Sequence, residues 1–180
     1  SYHSDSGSAA ANYDFLNVNG TLTFAPGETT KPVVVQIKGD TIDEANERFF
    51  VRLSNPTNAT VGTAQAVGTI QDDDGAPTAA LSLTGSPFAE NGGTATVTAT
   101  LSNLSNESVT VDLAFSGTAT APGNPNNDYT RSGTQIVIPP LSSNGSITLT
   151  GVDDGLSEGN ETVIVDISNV SNGSTGSPSQ

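Results

Sequence analysis

Apolar residues recur at every second position along this chain, in short runs that Gly, Asn, Ser and Pro cut off. In the first half, residues 1–11 read as the tail of a strand and a small-residue turn. Leu22 and Phe24 alternate with threonines and are expected to point inward, and Ala25, Pro26 and Gly27 then turn the chain. Val33, Val35 and Ile37 share one face of the next expected strand. Phe49, Val51 and Leu53 share a face of another, with Arg48 and Arg52 pointing away, and Asn55 and Pro56 stop it. A short strand over 64–70 follows. In the second half Leu81 and Leu83 mark a first strand. Ala95, Val97, Ala99 and Leu101 alternate with threonines, and Val109, Val111, Leu113 and Phe115 continue the pattern. Ile136 with Ile138, Ile147 with Leu149, and Val163, Val165 and Ile167 complete it. Period-two runs of this length, bounded by turn residues, predict antiparallel β-sandwiches with one wet face. No segment shows a convincing helical period.

The acidic residues change the picture because they cluster at turns. GDTIDEANERFF (39–50) places Asp40, Asp43, Glu44 and Glu47 ahead of a strand, and Asp72, Asp73 and Asp74 close the strand after it. VDDGLSEGNETVIV later carries Asp153, Asp154, Glu158 and Glu161. Asp40 and Asp154, Glu44 and Glu158, and Glu47 and Glu161 all stand 114 residues apart, so one acidic loop occurs twice. The repeat predicts two modules, 1–75 and 76–180, joined by the short, stiff Gly75-Ala76-Pro77. The first has only a remnant ahead of Asp14 and Phe15. The second ends in a Gly/Ser-rich tail over 171–180 where the first has a strand and three aspartates. The expectation is therefore a window on a longer array, with a partial first module and a second lacking its last strand; the alternative is that a neighbouring chain supplies the missing strands. Neighbouring repeats of the same chain or neighbouring subunits are the expected partners.

Charge narrows the partners. Nineteen acids against five bases give a formal net charge of −14, which argues against nucleic acid and against docking on or inserting into anionic membranes. The chain has no cysteine, so no disulfide or thiolate site arises, and zinc is disfavoured with one histidine present. Hydrophobic residues make up 33%. Cores that lean take part of their stability from bound metal or neighbouring modules.

Taken together, the runs GSAAANYDF, LNVNGTLTFAPGET, KPVVVQIKGDTIDEANERFFVRLSNP and GTIQDDD resemble the Calx-beta domain family. The resemblance implies tandem immunoglobulin-like β-sandwiches that bind Ca²⁺ at one end, between loops and the junction to the next domain. By position it implies Asp14, Asp40, Glu44, Glu47, Asp72, Asp73 and Asp74, with the carbonyl of Ile42, as ligands in the first unit. In the second it implies Glu90, Asp128, Asp153, Asp154, Glu158 and Glu161. The chain departs from the family in having Gly39 where another Asp is common. It also lacks a counterpart of Glu90 in the first unit and closing aspartates in the second.

Calcium suits such a set, because it takes six to eight oxygen ligands and tolerates irregular geometry, whereas Mg²⁺ demands a tight octahedron. Two carboxylates about 4 Å apart repel by ~1 kcal/mol in water and ~4 kcal/mol at an effective dielectric of 20, so a crowded cluster needs a cation. Catalytic chemistry is thin. His3 has no nucleophile pattern beside it. Asp153, Asp154 and Glu158 mimic a glycosidase pair only without an aromatic sugar platform. The sequons at Asn19, Asn58, Asn103, Asn106, Asn144 and Asn160 arise easily in an Asn- and Thr-rich chain. The expected function is a non-enzymatic, calcium-rigidified repeat segment of a secreted or cell-surface protein, an adhesin, stalk or fibre located outside the cell. The alternatives are a cytosolic calcium-sensing module of a membrane transporter and an accessory module of an extracellular enzyme.

Overall fold

The computed structural model describes residues 1–157 and 159–176. All of its regular elements are strands, and the chain divides into two compact units, Ser1–Asp73 and Asp74–Gln180. The fold class is the expected one: all-β, with tandem immunoglobulin-like sandwich units.

The first unit holds β1 (Tyr2–Ser6), β2 (Asn19–Gly20), β3 (Glu47–Leu53) and β4 (Gln65–Ile70) in one antiparallel sheet of order β2-β1-β3-β4. Phe49 points inward from β3 while Arg48 and Arg52 stay exposed, as the alternation demands. The buried core is small: Ala9, Phe15 and Phe49, with Ala11, Val35, Val51 and Ile70 packed against it. The rings of Phe15 and Phe49 stack with centroids 5.0 Å apart.

The second unit is a two-sheet sandwich. One sheet contains β5 (Thr78–Thr84), β6 (Thr94–Leu101), β8 (Tyr129–Arg131), β10 (Asn144–Gly151) and β12 (Ser174–Thr175), in the order β12-β5-β6-β10-β8. The other contains β7 (Val109–Gly117), β9 (Gln135–Ile138) and β11 (Val163–Ser171), in the order β11-β7-β9. Ala95, Val97, Ala99 and Leu101 of β6 face Val109, Val111 and Leu113 of β7 across a core completed by Ile136, Ile138, Ile147 and Leu149.

The structure departs from the sequence expectations at three places. Residues 21–24 form no strand, and Phe24 is 49% exposed rather than turned inward. The run through Val33, Val35 and Ile37 makes only a bridge, Phe15 to Ile37. Its counterpart 114 residues on is β10, which is laddered to β6 on one side and β8 on the other. The first unit has no ladder corresponding to β6, so the same alternation stays half-buried at Val33 and Val35 and exposed at Ile37. The tail over 171–180, read as strandless, contributes β12, which pairs in parallel with Thr78 and Ala79 of β5. Residues 177–180 lie outside the described ones.

Gly151, at the end of β10, lets the β5–β6 loop approach. A Cβ there would overlap the Ala89 carbonyl and lie 2.8 Å from the Glu90 carbonyl oxygen. Both obstacles are backbone, so Gly151→Ala is expected to lower the stability of the second unit by about 1–3 kcal/mol, read as a lower urea midpoint.

Candidate metal centre

In the first unit the chain brings together acids that are far apart in sequence. Asp14 follows a small-residue turn in which the Ala10 N–H donates to Asp14 Oδ2 at 2.5 Å. The backbone of Lys38 donates to the Asp14 carbonyl at 2.8 Å, and Lys38 Nζ donates to the Asn12 carbonyl at 2.7 Å. This fixes residues 12–14 beside the entrance to the acidic turn. Glu44 lies within that turn and Glu47 opens β3. Carboxylate oxygens of Asp14, Glu44 and Glu47 lie within 4.8 Å of one another, all three half-buried. Asp40 sits just upstream and accepts from the Ile42 N–H at 2.9 Å, closing an Asx turn that orders the loop. The Asp72 N–H donates to Asn46 Oδ1 at 2.9 Å, which ties the start of the aspartate run to the same turn. Sequence reasoning misses Asn46, although it stands beside Glu47 in the GDTIDEANERFF run. Asp73 is exposed at the end of the unit, and Asp74 belongs to the second unit.

The crowding leaves an electrostatic mark. The Glu47 carboxyl is pushed up to about 7 by desolvation, by a hydrogen bond with Asp14, and by the charges of Asp14 and Glu44. Glu47 therefore holds a proton in the metal-free fold that it gives up in the unfolded chain. The resulting stability is present below the ordinary carboxylate range and lost as pH rises through about 7. Chelated protein should show a lower urea midpoint for the first unit at about pH 8 than at about pH 5, and Glu47→Gln should flatten that difference. An unchanged slope in the variant would contradict the assignment.

The second unit repeats the construction. The Thr120 N–H donates to Asp128 Oδ2 at 2.5 Å, the Val152 N–H donates to the Asp128 carbonyl at 2.8 Å, and the Leu156 N–H donates to Asp154 Oδ1 at 2.9 Å. A hydrogen bond from Glu161 and the Thr120 N–H hold the buried Asp128 carboxylate below its ordinary range. Asp128 and Glu161 are thus paired as Asp14 and Glu47 are, at the same 114-residue offset. Glu90, Asp128 and Glu161 line one cleft. Asp153 is an exposed turn residue whose Oδ1 accepts from the Gly155 N–H at 3.0 Å, while Asp154 Oδ2 is buried with no hydrogen-bond partner. Glu158 lies outside the described residues. Among the described residues only Asp14, Glu44 and Glu47 form a three-carboxylate group.

Two copies of one acidic loop, each closing on an aspartate at the fixed offset, meet a matching family comparison: the Calx-beta domain matches residues 1–74 and again 72–180. The chain belongs to the Calx-beta domain family. Curated relatives share this Calx-beta sequence over part of their length. Sodium/calcium exchanger 2 of Rattus norvegicus is 45% identical over 74 residues, 41% of this chain and 8% of the exchanger. Sodium/calcium exchanger 3 of Homo sapiens is 48% identical over 54 residues, 30% of this chain and 6% of the exchanger. Sodium/calcium exchanger Calx of Drosophila melanogaster is 31% identical over 75 residues, 41% and 8% respectively. The matched stretch thus spans 8% or less of the length of these relatives. A solved structure described as the calcium binding domain CBD12 of CALX1.1 aligns with 82% of this chain and 59% of its own, at 25% identity and a TM-score of 0.41.

These relatives correct two expectations. The secreted or cell-surface fibre and the extracellular location find no support, because the relatives are exchangers rather than adhesins. The chain's abundant Thr, Ser, Asn and Gly are what the wet face and turns of an antiparallel sandwich require, and they do not report a compartment.

Proposed function

We propose that this Calx-beta segment is a non-catalytic, calcium-sensing regulatory module of a larger membrane transporter, acting on the cytosolic side. The observation that carries the calcium reading is the convergence of Asp14, Glu44 and Glu47 within 4.8 Å. Exchangers are also what the curated relatives are named. The donor set fits a hard cation: the three convergent groups are carboxylates, no thiolate exists in the chain, and its one histidine faces Asp5 rather than this cluster. The proton held on Glu47 reports repulsion that a divalent ion would relieve.

Asp14, Glu44 and Glu47 would supply the inner carboxylates of the first site. Asp40, the Ile42 carbonyl, Asp72 and Asp73 would complete it. Glu90, Asp128, Asp153, Asp154, Glu158 and Glu161 would serve the second. A bound ion supplies positive charge at each acidic loop. The Asx turns at Asp40 and Asp154 pre-order those loops, and Asn46 holds the Asp72 backbone in place. Ordering by calcium is then what a transporter would read. Isothermal titration of chelated protein with Ca²⁺ and Mg²⁺ tests this. Calcium should bind with heat, displace a proton near neutral pH and be preferred over magnesium; no calcium heat, or magnesium binding equally well, would sink the proposal.

A further inference from the structure

Four Asn-Gly pairs occur along the chain, at residues 19–20, 91–92, 144–145 and 172–173. Asparagine is thermolabile, and a glycine after it favours ring closure, because without a Cβ the glycine nitrogen can approach the asparagine side chain. The fold holds three of the pairs. Gly20 pairs with Tyr2 of β1 and Gly145 with Ala99 of β6, so Asn19 and Asn144 keep the extended backbone of a ladder. Asn172 follows β11; its Nδ2 donates to the Ser108 carbonyl at 3.0 Å, and a Cβ on Gly173 would lie 2.8 Å from the Pro77 carbonyl oxygen. Asn91 and Gly92 instead stand in the loop between β5 and β6, both exposed, with nothing within 4 Å of where a Gly92 Cβ would sit. The Gly92 N–H donates to the Glu90 carbonyl at 2.8 Å, a purely local bond that closes a three-residue turn. The next residue is tightly held. The Gly93 N–H donates to the Ala89 carbonyl at 2.9 Å, a Cβ on Gly93 would overlap the Ala89 backbone, and the Gly93 carbonyl accepts from the Gly151 N–H at 2.8 Å at the end of β10.

We propose that Asn91 is a self-modifying position: it deamidates through a cyclic imide to aspartate and isoaspartate, and the isoaspartate form unclasps this turn from β10. The backbone nitrogen of Gly92 gives its proton to solvent and attacks Asn91 Cγ. A new N–Cγ bond forms, the Cγ–Nδ2 bond breaks, and the side-chain nitrogen leaves as ammonia. Water then opens the ring, and nothing is oxidised or reduced. Breaking the new N–Cγ bond gives aspartate. Breaking the original peptide bond leaves the main chain running through Cβ and Cγ, one carbon longer. The turn from Ala89 to Gly93 has no slack for that carbon, since even a Cβ on Gly93 meets backbone. The bonds from Gly93 to Ala89 and from Gly151 to Gly93 therefore part. Gly151 is laddered to Tyr129 of β8, and Val152 beside it holds the Asp128 carbonyl, so the loosening reaches the backbone around Asp128. The chemistry does not depend on calcium.

The test is to age the whole chain in mildly alkaline buffer with calcium chelated and to follow each Asn-Gly pair by peptide mass mapping. Position 91 should gain the mass of amide-to-acid conversion several-fold faster than positions 19, 144 and 172. In the aged chain the amides of Gly93 and Gly151 should exchange faster, and treatment with an isoaspartate-repairing methyltransferase should restore their protection. Asn91→Gln, whose longer side chain closes the ring far more slowly, should fold as the parent does and keep that protection on ageing. Freshly made Asn91→Asp should also keep it, because it adds the charge without the extra carbon. Conversion at position 91 no faster than at the other three pairs overturns the proposal. So does loss of protection on ageing in Asn91→Gln, or an aged parent whose Gly93 and Gly151 amides exchange as before. A fresh Asn91→Asp chain as loose as the aged parent assigns the effect to charge and overturns the isoaspartate reading.

Discussion

Replacing Asp14 with asparagine and Glu47 with glutamine together is expected to abolish the calcium-dependent rise in melting temperature of the first unit. A site held at about one hundred times its dissociation constant adds about 2.7 kcal/mol to stability. For a unit of this size that is on the order of 10 °C or more, since about 1 kcal/mol moves a small domain by about 4–8 °C. Both residues sit in the three-carboxylate group, so the double amide removes two of its negative charges. The amides are nearly isosteric, and the substituted side chain at position 14 keeps an oxygen for the Ala10 N–H. In chelator the variant should therefore melt no lower than the parent, and above about pH 7 it should melt higher, because the Asp14–Glu47 repulsion is gone. The opposite signs separate the two effects. Lower stability in chelator would mark damage to the fold, whereas an undiminished calcium shift would remove these residues from the site.

Much of this was legible because the repeat is encoded in position as well as composition. The strands with a neighbour on each side follow the alternation closely: β6 begins and ends where the Ala95, Val97, Ala99 and Leu101 pattern does. The Val33, Val35 and Ile37 run shows the limit. Alternation reports which face is apolar, and a strand also needs a ladder partner, which no local pattern reports. Tyr129 shows a different limit. It is 3% exposed and opens β8, where three residues are too few to display a period. At the site, the acids were visible but their grouping was not. The convergence of Asp14 with Glu47 depends on β1 and β3 pairing across more than forty residues. The grouping of Asp14, Glu44 and Glu47 out of the longer acidic set follows from the fold, while Asp40 Oδ1 accepts from the Ile42 N–H within its own turn.

Phe15→Ala is expected to unfold the first unit while leaving the second unit's transition in place. Phe15 is fully buried and stacked on Phe49, and with Ala9 these are the buried hydrophobic residues of the first unit's core. Truncating a buried Phe costs about 3–5 kcal/mol. Small domains have about 5–15 kcal/mol in total, and a core this lean belongs near the bottom of that range. Among the described residues the second unit spreads its core over thirteen buried ones, so its own melting should be unmoved. The substitution also reaches the metal site through the backbone, because Phe15 follows Asp14 and bridges to Ile37, next to the Lys38 N–H that holds the Asp14 carbonyl. Loss of the ring should therefore release Asp14 from Glu44 and Glu47 and remove first-unit calcium binding along with the fold. Saturating calcium should recover part of the loss in a milder variant, Phe15→Leu, by the same linkage that stabilises the parent. Calorimetry with amide exchange resolves the two units. If the first unit's exchange is unchanged in Phe15→Ala, the stacked pair is not its nucleus of stability, and the acidic cluster is held by something other than the aromatic core.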